Sequence, residues 1–261
     1  MSTGKLIDRV NAYEAAADIK LLPKVPLIIS LNLRASSKIT SLLDKPFCAK
    51  FSDCIYSTMI RLINEISGSV FAYSFNDEII IVARNDQSNE TEPWCQNKIQ
   101  KIASLTAAIA TLHFNNCVLA SDLSLLGDAV FLSKVFVVPN ITESVNVFVS
   151  KQQSAFQSSI HFACFYELLK LYNKDEIREM LIGTSLDEKI NLLKQELSID
   201  FNKYPMAFRR GVACYRSPKI MDGTLKHKLV LNRDLPIFTR EHLFLSNIFN
   251  GGADIIRQDV S

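Results

Sequence analysis

No Cys-x-x-Cys pair occurs in this chain of 261 residues, although it holds six cysteines, Cys48, Cys54, Cys95, Cys117, Cys164 and Cys214. That spacing argues against a zinc knuckle. Charge of one sign is also lacking: the formal net charge is +2, so any nucleic-acid binding has to rest on a local patch. The first residues, MSTGKLIDRVNAYEAAADIK, are polar and amphipathic and do not read as a secretory signal. No apolar run approaches the length of a membrane span, and there is no internal repeat or low-complexity segment. These absences lead to the expectation of a cytoplasmic protein with no membrane partner, whose cysteines are mostly small buried hydrophobes. With 48% hydrophobic and 21% charged residues, the chain can bury the core of one large domain, or a domain with an appendage.

Residues 5–21 pattern as a short helix ended by Pro23 and Pro26, which launch the β-branched strand VPLIISLNL. Lys45-Pro46 marks a loop. Ile55, Met59, Leu62, Ile63 and Ile66 fall at helical spacing behind Ser52 or Asp53 as N-cap. VFAYSF and EIIIVA then meet at Asn76-Asp77, a hairpin tip. Further on come an amphipathic helix over 97–114, the strand VFLSKVFVVP, a long helix over 142–172, a helix over 185–197 and a late strand MAFRRGVACYR. The order β–α–β–β–α–β is a split βαβ arrangement. The expected fold is therefore α+β: a ferredoxin-like, polymerase-palm-like antiparallel sheet packed with helices, with a C-terminal helical and strand extension. Residues 1–140 form the palm-like core, and 141–261 the remaining part of the same catalytic unit.

Asp77 and Glu78 stand at the head of a buried-looking strand, where uncompensated carboxylates are costly. The first strand ends at Asn32-Leu33-Arg34, and in this order it should neighbour the first strand of the hairpin. An oxygen ligand there and a carboxylate in the hairpin are what two-Mg²⁺ nucleotidyl transfer needs, since the metals bridge phosphate oxygens.

The succession LIISLNLR, FCAKFSD, AYSFNDEIIIVA, VFLSKVFVVP, GTSLDEK and IDFNKYPMAFRRG resembles the tRNA-His guanylyltransferase family in order and spacing, over roughly residues 27–215, and RDLPIF resembles its C-terminal segment. The resemblance implies a reverse, 3′–5′ nucleotidyltransferase. Such an enzyme activates a tRNA 5′ end with ATP, or uses a 5′-triphosphate, and joins to it a GTP-derived nucleotide. It also implies two Mg²⁺, GTP and ATP as substrates, an RNA partner, and a homo-oligomer, either a dimer or a tetramer. Carried over residue by residue, it makes Asp77 and Glu78 catalytic, with Asp77, Asn32 and the Leu33 carbonyl at metal and Glu78 as a supporting group. Phe47, Ala49, Lys50, Asp53 and Asn76 fall to the nucleotide, and Lys98, Lys101, Lys134, Lys151 and Lys189 to phosphate.

Several positions depart from the family. Asn32 replaces its first metal carboxylate and Leu33 its glycine, so Mg²⁺ affinity should fall. Lys134 replaces an arginine, which is not equivalent at a bidentate phosphate site. In the helix signature both asparagines are Ser158 and Ser159, the leading histidine is Phe156, and His161 holds a tyrosine position. Three readings follow: a divergent active transferase; a catalytically impaired relative that binds nucleotide or RNA, or serves as a structural partner; and a ferredoxin-like regulatory module. A continuous basic groove from MAFRRG and LKHKLVLNR would favour RNA over the regulatory reading.

Overall fold

The fold was obtained as a computed structural model; residues 3–251 are described, except 89, 126, 222 and 223, and the side chains of residues 3 and 219–226 are not described. Strands β1 (Leu27–Leu33), β2 (Ser69–Phe75), β3 (Glu78–Ala83), β4 (Phe131–Val137), β5 (Val212–Met221) and β6 (Thr224–Asn232) form one sheet in the order β4-β1-β3-β2-β5-β6. Every neighbouring pair is antiparallel. Helices α3 (Ala49–Glu65) and α4 (Ile99–Ala120) complete the βαββαβ unit. The sheet is the expected ferredoxin-like one, extended past β2 by the β5–β6 hairpin. Because β5 and β6 join strands from before residue 140, the sheet runs across the division placed there.

Strand alternation sorts the apolar residues to two faces. Ile29, Leu31, Ile79 and Ile81 meet Ile55, Met59 and Leu62 of α3 and Phe114 of α4. Ile28, Phe71, Ile80 and Val82 meet Val145 and Phe148 of α5 (Ile141–Leu168), together with Phe238 and Phe249 of the last segment. The second half of α5 leaves the sheet and builds a separate cluster with α6 (Lys174–Leu181), α7 (Leu186–Glu196) and α8 (Met206–Arg210). The cysteines are free; Cys54, Cys164 and Cys214 are buried and the other three partly so. Burial pushes the Cys164 thiol up to about 11.

Several elements differ from the sequence expectation. β1 pairs with β3, the second hairpin strand, because the α3 crossover skips a position that β3 then fills. The helix expected to be capped by Ser52 or Asp53 begins earlier, at Ala49, and Ser52 Oγ bonds back to the Cys48 carbonyl inside it. Met206–Arg210 is helical, and Gly211 ends it at φ +77° before β5 starts at Val212. A side chain at Gly211 would lie 2.6 Å from the Ser74 carbonyl oxygen, so the turn requires glycine. Ile99–Ala120 is longer than expected and is long and apolar enough, by length and composition, to cross a membrane. Its inner face, Ile102, Ala110 and Phe114, is built into the core.

Ser185 caps α7 in a reciprocal box: Glu188 N–H donates to Ser185 Oγ at 3.2 Å, and Ser185 N–H donates to Glu188 Oε2 at 2.6 Å. Ser185→Ala should cost about 1 kcal/mol, read as a lower urea midpoint with unchanged slope.

Candidate active site

The hairpin needs only a two-residue turn, and Asn76 supplies it with φ +52°, a left-handed conformation that asparagine tolerates. The turn places Asp77 and Glu78 on opposite sides of the sheet end. Glu78 shares a face with Ile80 and Val82, the α5 side. There Lys151 Nζ meets its Oε1 at 2.5 Å and Ser30 Oγ donates to the same oxygen at 3.2 Å. Glu78 and Lys151 are each about a third exposed, 34% and 35%, so the pair is screened only in part. The same α5 residue row holds the C-terminal segment: Gln152 donates to the Pro236 carbonyl and accepts from Phe238 N–H.

Asp77 faces the other way. It lines a cavity of about 150 Å³ together with Asn76, Ser36, Lys45, Phe47 and Tyr166. Burial pushes its carboxyl above the usual range, while a hydrogen bond from Ser36 pulls it back in part. A partly buried carboxylate on a cavity wall, with no cation of the protein ion-paired to it among the described residues, is poised for a cationic ligand. Lys45 enters the same cavity. Its Nζ lies 3.3 Å from Thr40 Oγ1 and 5.4 Å from the centre of the Tyr166 ring, and burial lowers its pKa. Sequence reasoning passed over Lys45 as a loop marker; its place just before the FCAKFSD block was the available signal.

The nucleotide-loop residues divide. Phe47 borders both this cavity and a neighbouring one of about 390 Å³, which Ala49, Asp53, Tyr56 and Arg233 also line. Arg233 bonds Asp53 at 2.8 Å and lies 5.3 Å from the Tyr56 ring centre, an exposed closure over that second cavity. Lys50 is exposed on the first turn of α3.

Asn32 is exposed and pairs in register with Glu78, and Leu33 N–H donates to the Asp77 carbonyl at 3.3 Å. Leu33 therefore adjoins the turn that carries Asp77 through its backbone, whereas Asn32 shares the face of Glu78 and can meet a ligand of Asp77 only around the end of the sheet. Lys134 is exposed on β4, in register with Ser30 and on the face of Glu78 and Lys151. Lys189 lies on α7, half-buried, across from His161, whose pKa is lowered by burial and by the Lys189 charge. Ser159 Oγ bonds back to the Phe156 carbonyl, and His161 stacks on Phe165 at 6.3 Å. These three hold the helix and its packing.

Two expected phosphate lysines do not join this group. Lys98 pairs with Asp18 at 2.7 Å, and the preceding Asn97 bonds Asn85, just beyond the far end of β3. The five steps along β3 from Glu78 to Ala83 put that end about 17 Å from the turn. Lys101 lies on the same α4 turn as Lys98. The helix enters the sheet layer from the opposite end, which sequence spacing could not show. In MAFRRG both arginines are tied to backbone: Arg209 donates to the Tyr204 carbonyl, and Arg210 to the Leu235 carbonyl. In LKHKLVLNR the side chains at 225 and 226 lie outside the described residues.

Magnesium takes oxygen ligands in an octahedron, commonly one or two carboxylates plus substrate phosphates and water. The donors at this end of the sheet are the Asp77 carboxylate, the Asn32 amide and the Leu33 carbonyl. All are hard oxygens, and only Asp77 is charged. Glu78 is held by Lys151, and no group of three or more His, Cys, Asp or Glu side chains gathers among the described residues. This donor chemistry suits one Mg²⁺ completed by nucleotide phosphates. It leaves a second ion without a carboxylate of its own.

Comparison with known proteins agrees with this architecture. The family model described as tRNAHis guanylyltransferase matches residues 7–139. tRNA(His) guanylyltransferase 1 of Arabidopsis thaliana is 24% identical over 84% of this chain, which spans only 38% of that relative. A probable tRNA(His) guanylyltransferase of Drosophila melanogaster is 22% identical over 89% of the chain and 82% of its own length. A bacterial tRNA(His) guanylyltransferase-like protein in complex with ATP superposes with a TM-score of 0.81 at 24% identity, covering 94% of this chain and 98% of that one. Its complex with GTP gives 0.75 at 23% identity, covering 94% and 99%. The matched residues run from α1 (Thr3–Ala16) through the end of β4, the whole βαββαβ unit with the Asp77 turn inside it, so the chain belongs to the tRNA-His guanylyltransferase family, a family of nucleotidyltransferases.

Proposed function

We propose that this chain adds a GTP-derived nucleotide to the 5′ end of a tRNA or tRNA-like RNA, in the 3′–5′ direction. The observation that carries the reading is the shared cavity: Asp77, the ring of Phe47 and the Lys45 amine line one enclosure at the sheet end. An apolar ring wall beside a carboxylate and an ammonium suits a nucleotide, whose base is flat and whose phosphates bring both a metal and negative charge. Asp77 would hold Mg²⁺ together with the Leu33 carbonyl and Asn32. The ion, when bound, offsets charge on the phosphoryl oxygens of the transfer. Lys45 faces the phosphates, and Lys134 supplies positive charge on the outer face of the turn. Glu78, already paired with Lys151, fixes the turn from behind.

The test is incorporation of label from GTP, with Mg²⁺, into 5′-monophosphorylated and 5′-triphosphorylated tRNA. Label at the 5′ end, lost in Asp77→Ala, supports transfer. The amide at position 32 favours a second reading, a nucleotide-binding relative that no longer transfers. That reading gains if wild type is silent while nucleotide binding persists. Asn32→Asp should restore a charged ligand and raise Mn²⁺ affinity on the order of tenfold, read by Mn²⁺ electron paramagnetic resonance titration with GTP present.

A further inference from the structure

The cavity at the hairpin holds two opposite charges that do not pair. Lys45 and Asp77 both line it, yet no ion pair joins them among the described residues. An ammonium on a flexible four-carbon stem, sharing a half-buried enclosure with a carboxylate, gains by closing on it. The amine is held elsewhere by two other groups. Thr40 Oγ1 lies 3.3 Å from its Nζ, and the centre of the Tyr166 ring lies 5.4 Å away.

Thr40 is a directed acceptor. A hydroxyl has one proton and two lone pairs. The Thr40 proton is committed to the Ser36 carbonyl at 2.8 Å, so the Lys45 amine meets its lone pairs. Thr40 is buried, and its hydroxyl has little water to turn to. Thr40 N–H donates to the same carbonyl at 2.8 Å and closes the single turn α2 (Ser36–Ile39). Ala35 enters that turn at φ +51°, a left-handed conformation that alanine keeps only where its surroundings impose it. At the start of the turn Ser36 donates a hydrogen bond to Asp77. One turn of chain therefore holds the carboxylate at its first residue and the ammonium at its C-cap. Of the three N–H directions of the ammonium, Thr40 and the ring face take two, and the third is left for a ligand.

We infer that Thr40 is a positioning residue that keeps the Lys45 ammonium off Asp77, leaving the carboxylate to a metal ion and the remaining N–H to nucleotide phosphate, an inference that rests on the nucleotide reading of this cavity. Without the hydroxyl the lysine stem swings across the enclosure and neutralises Asp77. The site then loses a charged metal ligand and a phosphate donor together, although neither residue has changed. Fixing both charges before the ligand arrives also spares the ordering of a long side chain at the moment of binding.

The test uses Thr40→Val, which keeps the shape and removes the hydroxyl, and Thr40→Ser, which keeps the hydroxyl. Mn²⁺ electron paramagnetic resonance titration with GTP present reads the site. Thr40→Val should weaken Mn²⁺ binding on the order of tenfold, and Thr40→Ser by less than about threefold. In the Lys45→Met protein no ammonium can swing, and adding Thr40→Val should change the affinity by less than about twofold. A Thr40→Val loss of equal size with and without Lys45 overturns the proposal, because Thr40 then acts on the turn alone. So does a Thr40→Val protein that binds as wild type does. A second measurement needs neither nucleotide nor metal: urea unfolding of Lys45→Met, Asp77→Asn and the pair, each with and without Thr40→Val. The coupling between positions 45 and 77 should be near zero with Thr40 in place, and should reach about fivefold or more in the folding constant with Thr40→Val. If wild type binds no Mn²⁺ with GTP, the nucleotide reading fails and the unfolding cycle decides by itself. A coupling that Thr40→Val leaves unchanged overturns the positioning role.

Discussion

Nucleotide transfer by the Asp77→Asn protein is expected to fall by about 10³-fold or more while the fold survives intact. Removing the one charged ligand takes several kcal/mol of charge stabilisation from the reaction, and each factor of ten in rate is about 1.4 kcal/mol. Stability should move the other way. Burial holds the Asp77 carboxyl above its ordinary value of 3.8, so the native state binds this proton more tightly than the unfolded chain does. Stability from that proton is fully present below pH 3.8 and is lost as pH rises through the raised folded value. At neutral pH the ionised carboxylate is therefore a cost, which the neutral amide avoids. Asp77→Asn should unfold in urea at or above the wild-type midpoint at pH 7, with the gap narrowing as the pH approaches 3.8. A variant that is inactive because it is less stable would assign Asp77 to structure; one that keeps its transfer rate would remove it from the site.

Phe71→Ala is the second large effect, a loss of about 3–5 kcal/mol of folding stability. Phe71 is fully buried on β2 and its ring touches four others: Phe148 at 5.0 Å, Phe249 at 5.5 Å, Tyr215 at 5.9 Å and Phe238 at 6.4 Å. Those partners come from α5, from α9 (His242–Phe249), from β5 and from the segment before α9. One ring thus ties three separate stretches of chain to the sheet. Domains are stable by only about 5–15 kcal/mol, so the substitution removes a large share of the total. Guanidinium unfolding monitored by far-ultraviolet circular dichroism measures it. A loss under about 1 kcal/mol would mean the cluster relaxes around the vacancy and does not hold these elements. The consequence reaches the site, because α5 also carries Lys151 to Glu78 and Gln152 to the Phe238 backbone.

Local signals were legible wherever one short stretch decides its own conformation. The β-branched run of β1, the hairpin at Asn76-Asp77 and the start of α7 at Ser185 could all be read from neighbouring residues. The Ser52 cap failed because its hydroxyl found the Cys48 carbonyl inside a helix that had already begun. The MAFRR helix was hidden because its pattern is too short to show a period, and its arginines are fixed by distant carbonyls.

The sequence by itself determined the βαββαβ order, the two-faced hydrophobic pattern that buries the sheet, and the carboxylates of the hairpin. Each follows from residue spacing of a few positions. Only the tertiary structure decided which side each carboxylate serves. Asp77 ends the turn and Glu78 begins β3, and the partners that meet them, Lys151 for Glu78 and the cavity with Ser36 for Asp77, come from 73 residues later and about 40 earlier. It likewise decided that Lys98 and Lys101 sit at the wrong end of β3, since helix direction across a sheet is set by packing and not by local composition.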